Sequence, residues 1–175
     1  MYAHLCNGDP LRVRERAALR LRETWYLLEP DRVYEKALGT IAVAARCDDP
    51  PADLDGWAAL QIDRTIARLV RADEEAERTS PGLLTDEQRT FPLLTESLRV
   101  DPELVRTVSV AFNVLPPLPR RAFFELLIEG AEVADCVERG PWDHDGLYAA
   151  IHTALAALGL DLSPERSSFP FQKQP

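Results

Sequence analysis

The sequence predicts an all-α fold arranged as two small helical domains. Apolar residues recur at helical spacing through most of the chain, and no alternating strand pattern of useful length is present. Pro and Gly fall in tight groups that cut these stretches into pieces of helix length. A shift in character over residues 73–100 separates the two halves. With 175 residues, 46% of them hydrophobic, the chain can supply two small cores.

The elements follow in order. Leu11, Ala18, Leu21, Trp25 and Leu28 mark one stripe of a first helix, whose other faces carry Arg12, Arg14, Arg16, Arg20 and Arg22. Interleaved Glu15 and Glu23 predict a solvated face with local ion pairs there, and contact with nucleic acid or an acidic partner is the other use of such a cluster. Val33, Ala37, Ile41 and Ala44 mark a second helix ending near Cys47. Asp48-Asp49-Pro50-Pro51 is a turn, since two prolines cannot continue a helix. Asp53 or Asp55 suits the cap of a third helix. Its stripe runs through Leu54, Trp57, Ala58, Gln61, Ile62, Ile66, Leu69 and Val70. The charge run from Asp73 to Glu77 closes a first domain over residues 1–76, and residues 77–100 read as a linker.

Asp101 as cap and Pro102 at the first helical position open a second domain over 101–162. Leu104, Val108, Ala111, Phe112 and Leu115 face inward, and Pro116-Pro117 ends that helix. Pro119 suits the start of the next, with Ala122, Phe123, Leu126 and Leu127 inside and Gly130 as its stop. A short helix through Val133, Ala134 and Val137 closes at Gly140-Pro141. Asp143 caps a last helix with Leu147, Ile151, Ala154, Leu155 and Leu158 on one side. Short helix, Gly-containing turn and longer helix make a helix-turn-helix pattern. Residues 163–175 are polar and carry proline, which predicts a flexible tail.

Composition narrows the function classes. The chain has 20 basic and 29 acidic side chains, a net charge of −9, and residues 101–160 alone carry 4 basic against 9 acidic. Duplex affinity comes largely from Lys and Arg displacing counterions, so this half is poorly suited to DNA. No apolar run is long enough to cross a membrane, and the first residues lack the basic-then-apolar order of a signal peptide, which predicts a cytoplasmic protein. Cys6, Cys47 and Cys136 are too far apart for a disulfide framework or a metal pair. His4, His144 and His152 have no neighbouring nucleophile or ligand spacing, and no phosphate loop, HExxH or CxxC is present. Neither an enzyme nor a cofactor or metal is therefore expected.

Two helical bundles, a linker and a terminal helix-turn-helix resemble the extracytoplasmic-function group of sigma-70 factors, over about 130 of the 175 residues. Family members carry an LPPxxR-type start, an apolar helix, a Gly, and a string similar to V-K-S-R-L-H-R-A. Leu147-Tyr148-Ala149-Ala150-Ile151-His152-Thr153-Ala154 matches its apolar positions and its His, while the basic positions hold Tyr148, Ala150 and Thr153. In the first half, Val33-Tyr34-Glu35-Lys36-Ala37-Leu38 is similar to the family's VF-L-R-A-W string. Trp57 stands where the family Trp falls, and Arg68-Leu69-Val70-Arg71 is similar to the end of that helix. The acidic stretch that docks on polymerase's clamp helices is replaced by Tyr26-Leu27-Leu28-Glu29-Pro30.

The resemblance implies a sigma region 2-like first domain, a region 4-like second domain, and a role in transcription initiation or its regulation. RNA polymerase core or an anti-sigma-type protein is the implied partner, and promoter DNA is a further one that the acidic charge disfavours. Arg64, Arg68 and Arg71, with Trp57, form the implied promoter-melting surface, and His144, Tyr148 and His152 the implied duplex face. Val33, Tyr34 and Lys36, and separately Ala149, Ala150 and Ala156, are the candidate protein-binding residues. Small side chains let another helix approach closely, although Ala is also simply the best helix former. Two readings stay open: a divergent sigma factor that binds polymerase and promoter, and a sigma mimic or adaptor that binds a protein without reading DNA. A helical interaction domain unconnected with transcription is a third class.

Overall fold

The computed structural model describes residues 8–9, 11–47, 51–81 and 104–160. The described residues form seven α-helices, one of them continued by a π-helical turn, and no strand. The chain divides into two compact units, Met1–Val114 and Leu115–Pro175.

The first unit holds α1 (Val13–Glu23), α2 (Pro30–Cys47), α3 (Leu54–Thr79) and α4 (Val105–Asn113). Asp9 opens α1, its carboxylate accepting from the N–H groups of Val13 (2.8 Å) and Arg14 (2.9 Å). The buried stripe of α1 is Val13, Ala17 and Leu21; Leu21 is buried as expected, whereas Ala17 takes the core position expected of Ala18, which is exposed. The α1–α2 turn is closed by two hydrogen bonds, Trp25 N–H to the Arg22 carbonyl and Tyr26 N–H to the Leu21 carbonyl. Trp25 stands at φ 56°, a left-handed conformation that usually falls to Gly at this position. The core stripe of α2 is Val33, Ala37 and Ile41, each fully buried, as its periodicity predicts. Asp53 is the cap of α3, accepting from Gly56 N–H at 2.9 Å. Ala58, Ile62 and Ile66 of α3 close the bundle against α1 and α2.

Two boundaries differ from the sequence expectation, for one reason. The acidic run at the end of α3 is not a solvated border but a set of partners. Asp73 takes a bidentate ion pair from Arg32 of α2 at 2.7 Å on both arms. Arg78 bonds back to Glu74 and Glu75 and α3 runs through Thr79, past residue 76, the expected end of the first domain. Glu77 accepts from the Thr107 hydroxyl at 2.6 Å and faces buried Arg106 at 3.2 Å. That approach is off-line, so the pair is held by charge rather than by a formed hydrogen bond. These links, with Val105 and Phe112 fully buried, seat α4 on α3 in the first unit. The compact unit thus reaches Val114, where a second domain starting at residue 101 was expected. The Asp48–Pro50 part of the expected turn, the rest of the expected linker, the Asp101-Pro102 cap and the expected tail lie outside the described residues.

The second unit holds α5 (Pro117–Phe123) with its π-helical turn (Phe124–Ile128), α6 (Val133–Arg139) and α7 (His144–Leu158). Pro117, not Pro119, stands at the start of α5, with Pro116 extended before it. Phe123, Cys136 and Leu147 are fully buried where the three helices meet. Gly140 between α6 and α7 is needed for close approach: a Cβ there would lie 2.5 Å from the Trp142 Nε1 and 2.6 Å from the Cys136 carbonyl. That space lets the Trp142 indole donate to the Cys136 carbonyl at 3.1 Å, satisfying a free end of α6. Asp143 caps α7 by accepting from Gly146 N–H at 2.8 Å, as expected. Gly159 ends α7 at φ 64°.

Candidate interaction surface

The arginines of α1 are engaged within the first unit. Arg14 pairs with Asp31 of α2 through two 2.8 Å hydrogen bonds. Arg16 reaches Asp55 at 2.5 Å. Arg20 donates to Asp63 at 2.6 and 3.0 Å, and these hydrogen bonds to the carboxylate raise the guanidinium pKa above its ordinary value. The local pairs Arg12–Glu15 and Arg20–Glu23 are present as expected. The longer-range pairs were not visible in sequence, and they make this cluster a set of links between helices rather than a free basic face.

Four basic side chains behave differently. Lys36, Arg64, Arg68 and Arg71 are exposed, and none makes a hydrogen bond or ion pair with another described side chain. Arg64, Arg68 and Arg71 fall at i, i+4 and i+7 on α3, so they form one ridge. Lys36 and Arg68 face each other across a groove of about 750 Å³ between α2 and α3. Gly39, Val43, Ala44, Leu69 and Ala72 supply its apolar walls. Val43 is 64% exposed on the α2 wall of this groove. The two groove threonines are satisfied locally, Thr40 donating to the Lys36 carbonyl at 3.0 Å and Thr65 to the Gln61 carbonyl at 2.8 Å.

The expected site residues sort accordingly. The structure brings Lys36 together with Arg68, two residues expected to serve different ligands. Val33 is fully buried in the bundle core and cannot meet a partner, because it lies on the stripe of α2 that faces α1 and α3. Tyr34 and Trp57 are partly buried and packed against the same core, so neither is a free stacking platform. Gly39 and Val43 went unnoticed in sequence, and Ala44, expected on the core stripe of α2, lines the groove. The available signal was Val43, an apolar residue out of phase with the Val33–Ala37–Ile41 stripe.

In the second unit, His144, Tyr148, Ala149, His152 and Ala156 are exposed along α7, and Ala150 is half-buried. Asp143 and Asp145 are exposed at its start, and no Lys or Arg occurs between Asp143 and Leu160. In the core of the same unit, Cys136 of α6 is held protonated to higher pH than usual, chiefly by burial and next by the charge of Glu125. Glu125 also takes the Arg121 guanidinium at 2.8 Å, and Arg121 lies 5.3 Å above the Trp142 ring. Among the described residues no group of three or more His, Cys, Asp or Glu side chains is placed to hold a metal ion, and no helix is long and apolar enough to cross a membrane. No family model, curated protein or solved structure matches the chain.

Proposed function

We propose that the chain is a sigma-like protein acting in transcription initiation or its regulation through protein contacts, with RNA polymerase core or an anti-sigma-type protein as partner. It is a binding protein rather than an enzyme, working in the cytoplasm. The observation that carries this reading is the outer face of α7. In the helix-turn-helix reading this helix enters the major groove, where bases are read chiefly by Arg, Lys, Asn and Gln. Here the exposed positions hold His144, Asp145, Tyr148, Ala149, His152, Thr153, Ala156 and Ala157. Such a face repels phosphate and offers small side chains to another helix, so the reading assigns α7 to a protein.

A second reading, promoter contact through the first unit, is favoured by one observation: Arg64, Arg68 and Arg71 form an exposed ridge without ion-pair partners among the described residues. Copurification with core polymerase, followed by promoter binding at low and high salt, separates the two. The leading reading expects capture of core polymerase or of an anti-sigma protein with promoter affinity unchanged by the chain. Salt-sensitive promoter binding lost in Arg64→Ala/Arg68→Ala/Arg71→Ala establishes the second. Failure to bind either protein removes the leading reading.

A further inference from the structure

We propose that the α2–α3 groove is a docking site for an acidic amphipathic helix of a protein partner. The inference rests on the groove itself and stands whether or not the chain acts in transcription. Between Glu35 and Ala44 the groove follows α2 for about 14 Å, at ~1.5 Å per residue, enough for two to three turns of a docked helix. Gly39 has nothing within 4 Å of where a Cβ would stand, so a partner backbone can come close there. Val43 and Leu69 supply apolar contact on opposite walls. With the Thr40 and Thr65 hydroxyls committed to their own helices, the floor takes an apolar stripe without leaving a polar group stranded.

Charge complementarity fixes the sign of the partner. In a chain of net charge −9, the basic side chains without internal partners among the described residues gather at this groove and on the α3 ridge beside it. Lys36 and Arg68 on opposing walls outnumber the one lining acid, Glu35. A helix with acids flanking its apolar stripe gains pairs on both sides and is steered in over a mostly repulsive surface. A nucleic-acid strand fits less well. Single-strand grooves rely on aromatic platforms for base stacking, and no aromatic side chain lines this one.

The test is a peptide-display selection on the full chain, counter-selected on Val43→Glu/Arg68→Glu. Both side chains are exposed, so circular dichroism and melting of the variant should match the parent. The expected result is enrichment of sequences with apolar residues at i, i+3 or i+4, and i+7, flanked by Asp and Glu. Enriched peptides should bind Lys36→Glu or Arg68→Glu about tenfold more weakly by fluorescence anisotropy. Absence of groove-dependent enrichment, or enrichment of basic flanks, overturns the proposal. So does binding of single-stranded oligothymidylate that Arg68→Glu abolishes and the peptide does not displace. Because the readout uses neither polymerase nor promoter, the docking site and the transcription role can fail separately.

Discussion

Asn113 closes a two-bond ring with the backbone of Leu27, 86 positions away: its Oδ1 accepts from Leu27 N–H at 2.7 Å and its Nδ2 donates to the Leu27 carbonyl at 2.9 Å. Both residues are buried. One side-chain amide thereby replaces water for the backbone donor and acceptor of Leu27, in the segment between α1 and α2. Asn113→Ala leaves both groups buried and unpaired, at about 1–3 kcal/mol each. A loss of about 3 kcal/mol in urea unfolding, with faster exchange of the Leu27 amide, is expected. Asn113→Asp should be at least as damaging at neutral pH and recover as pH falls, because only the protonated acid can donate to the Leu27 carbonyl.

Arg32 and Asp73 pose a different problem, since both are charged and their side chains are only 17% and 11% exposed. Removing one partner strands the other, so Asp73→Ala should cost about 3–5 kcal/mol. Replacing both by apolar residues of similar size, as Arg32→Met/Asp73→Leu, should recover most of that loss. A double-mutant cycle measured by denaturant unfolding reads both values. An Asp73→Ala cost below about 1 kcal/mol would place the pair with ordinary surface ion pairs.

These two links explain what the sequence concealed. Helix identity was readable wherever apolar residues kept a 3.6-residue period, as with Val33, Ala37 and Ile41, or with Leu147, Ile151 and Leu158. Caps with a carboxylate and a nearby glycine, Asp53 and Asp143, were readable too. The first unit's far boundary was not, because it depends on polar partners distant in sequence. Asp73 and Glu77 look like a solvated charge run until Arg32 and Thr107 are seen beside them. Trp25 hid a turn because nothing in its identity signals a positive φ. Of the candidate site, Arg64, Arg68 and Arg71 were singled out only through the family resemblance, and their joining into one exposed ridge is a result of the fold. The groove was not, because it needs two helices brought side by side.

The face of α7, with exposed Asp145 and no Lys or Arg, yields a gain-of-function test. Tyr148→Lys and Thr153→Arg place basic residues at two exposed positions. Stability should stay within about 0.5 kcal/mol of the parent. If α7 has the orientation of a major-groove helix, the double variant should gain duplex binding that weakens with salt. The log–log slope should steepen by about 0.9 for each new phosphate contact. Electrophoretic mobility shifts across a salt series measure it. A variant whose binding is no better than the parent's would remove the helix-turn-helix reading of the second unit.

Cys136 offers a pH-dependent probe of the same unit. Burial raises its thiol pKa, and the nearby Glu125 carboxylate adds to the effect. The folded thiol therefore holds its proton to higher pH than the unfolded one. Its contribution to stability is complete below the unfolded value, about pH 8.5, and is lost as pH climbs through the folded value. In a Cys6→Ser/Cys47→Ser background, unfolding free energy should fall above about pH 8.5 more steeply than in the same background with Cys136→Ala. The thiol should react with an aromatic disulfide reagent only as fast as the unit opens, so denaturant must accelerate labelling. Fast labelling in buffer, insensitive to denaturant, would mean that α5, α6 and α7 do not close over Cys136 as the structure has them.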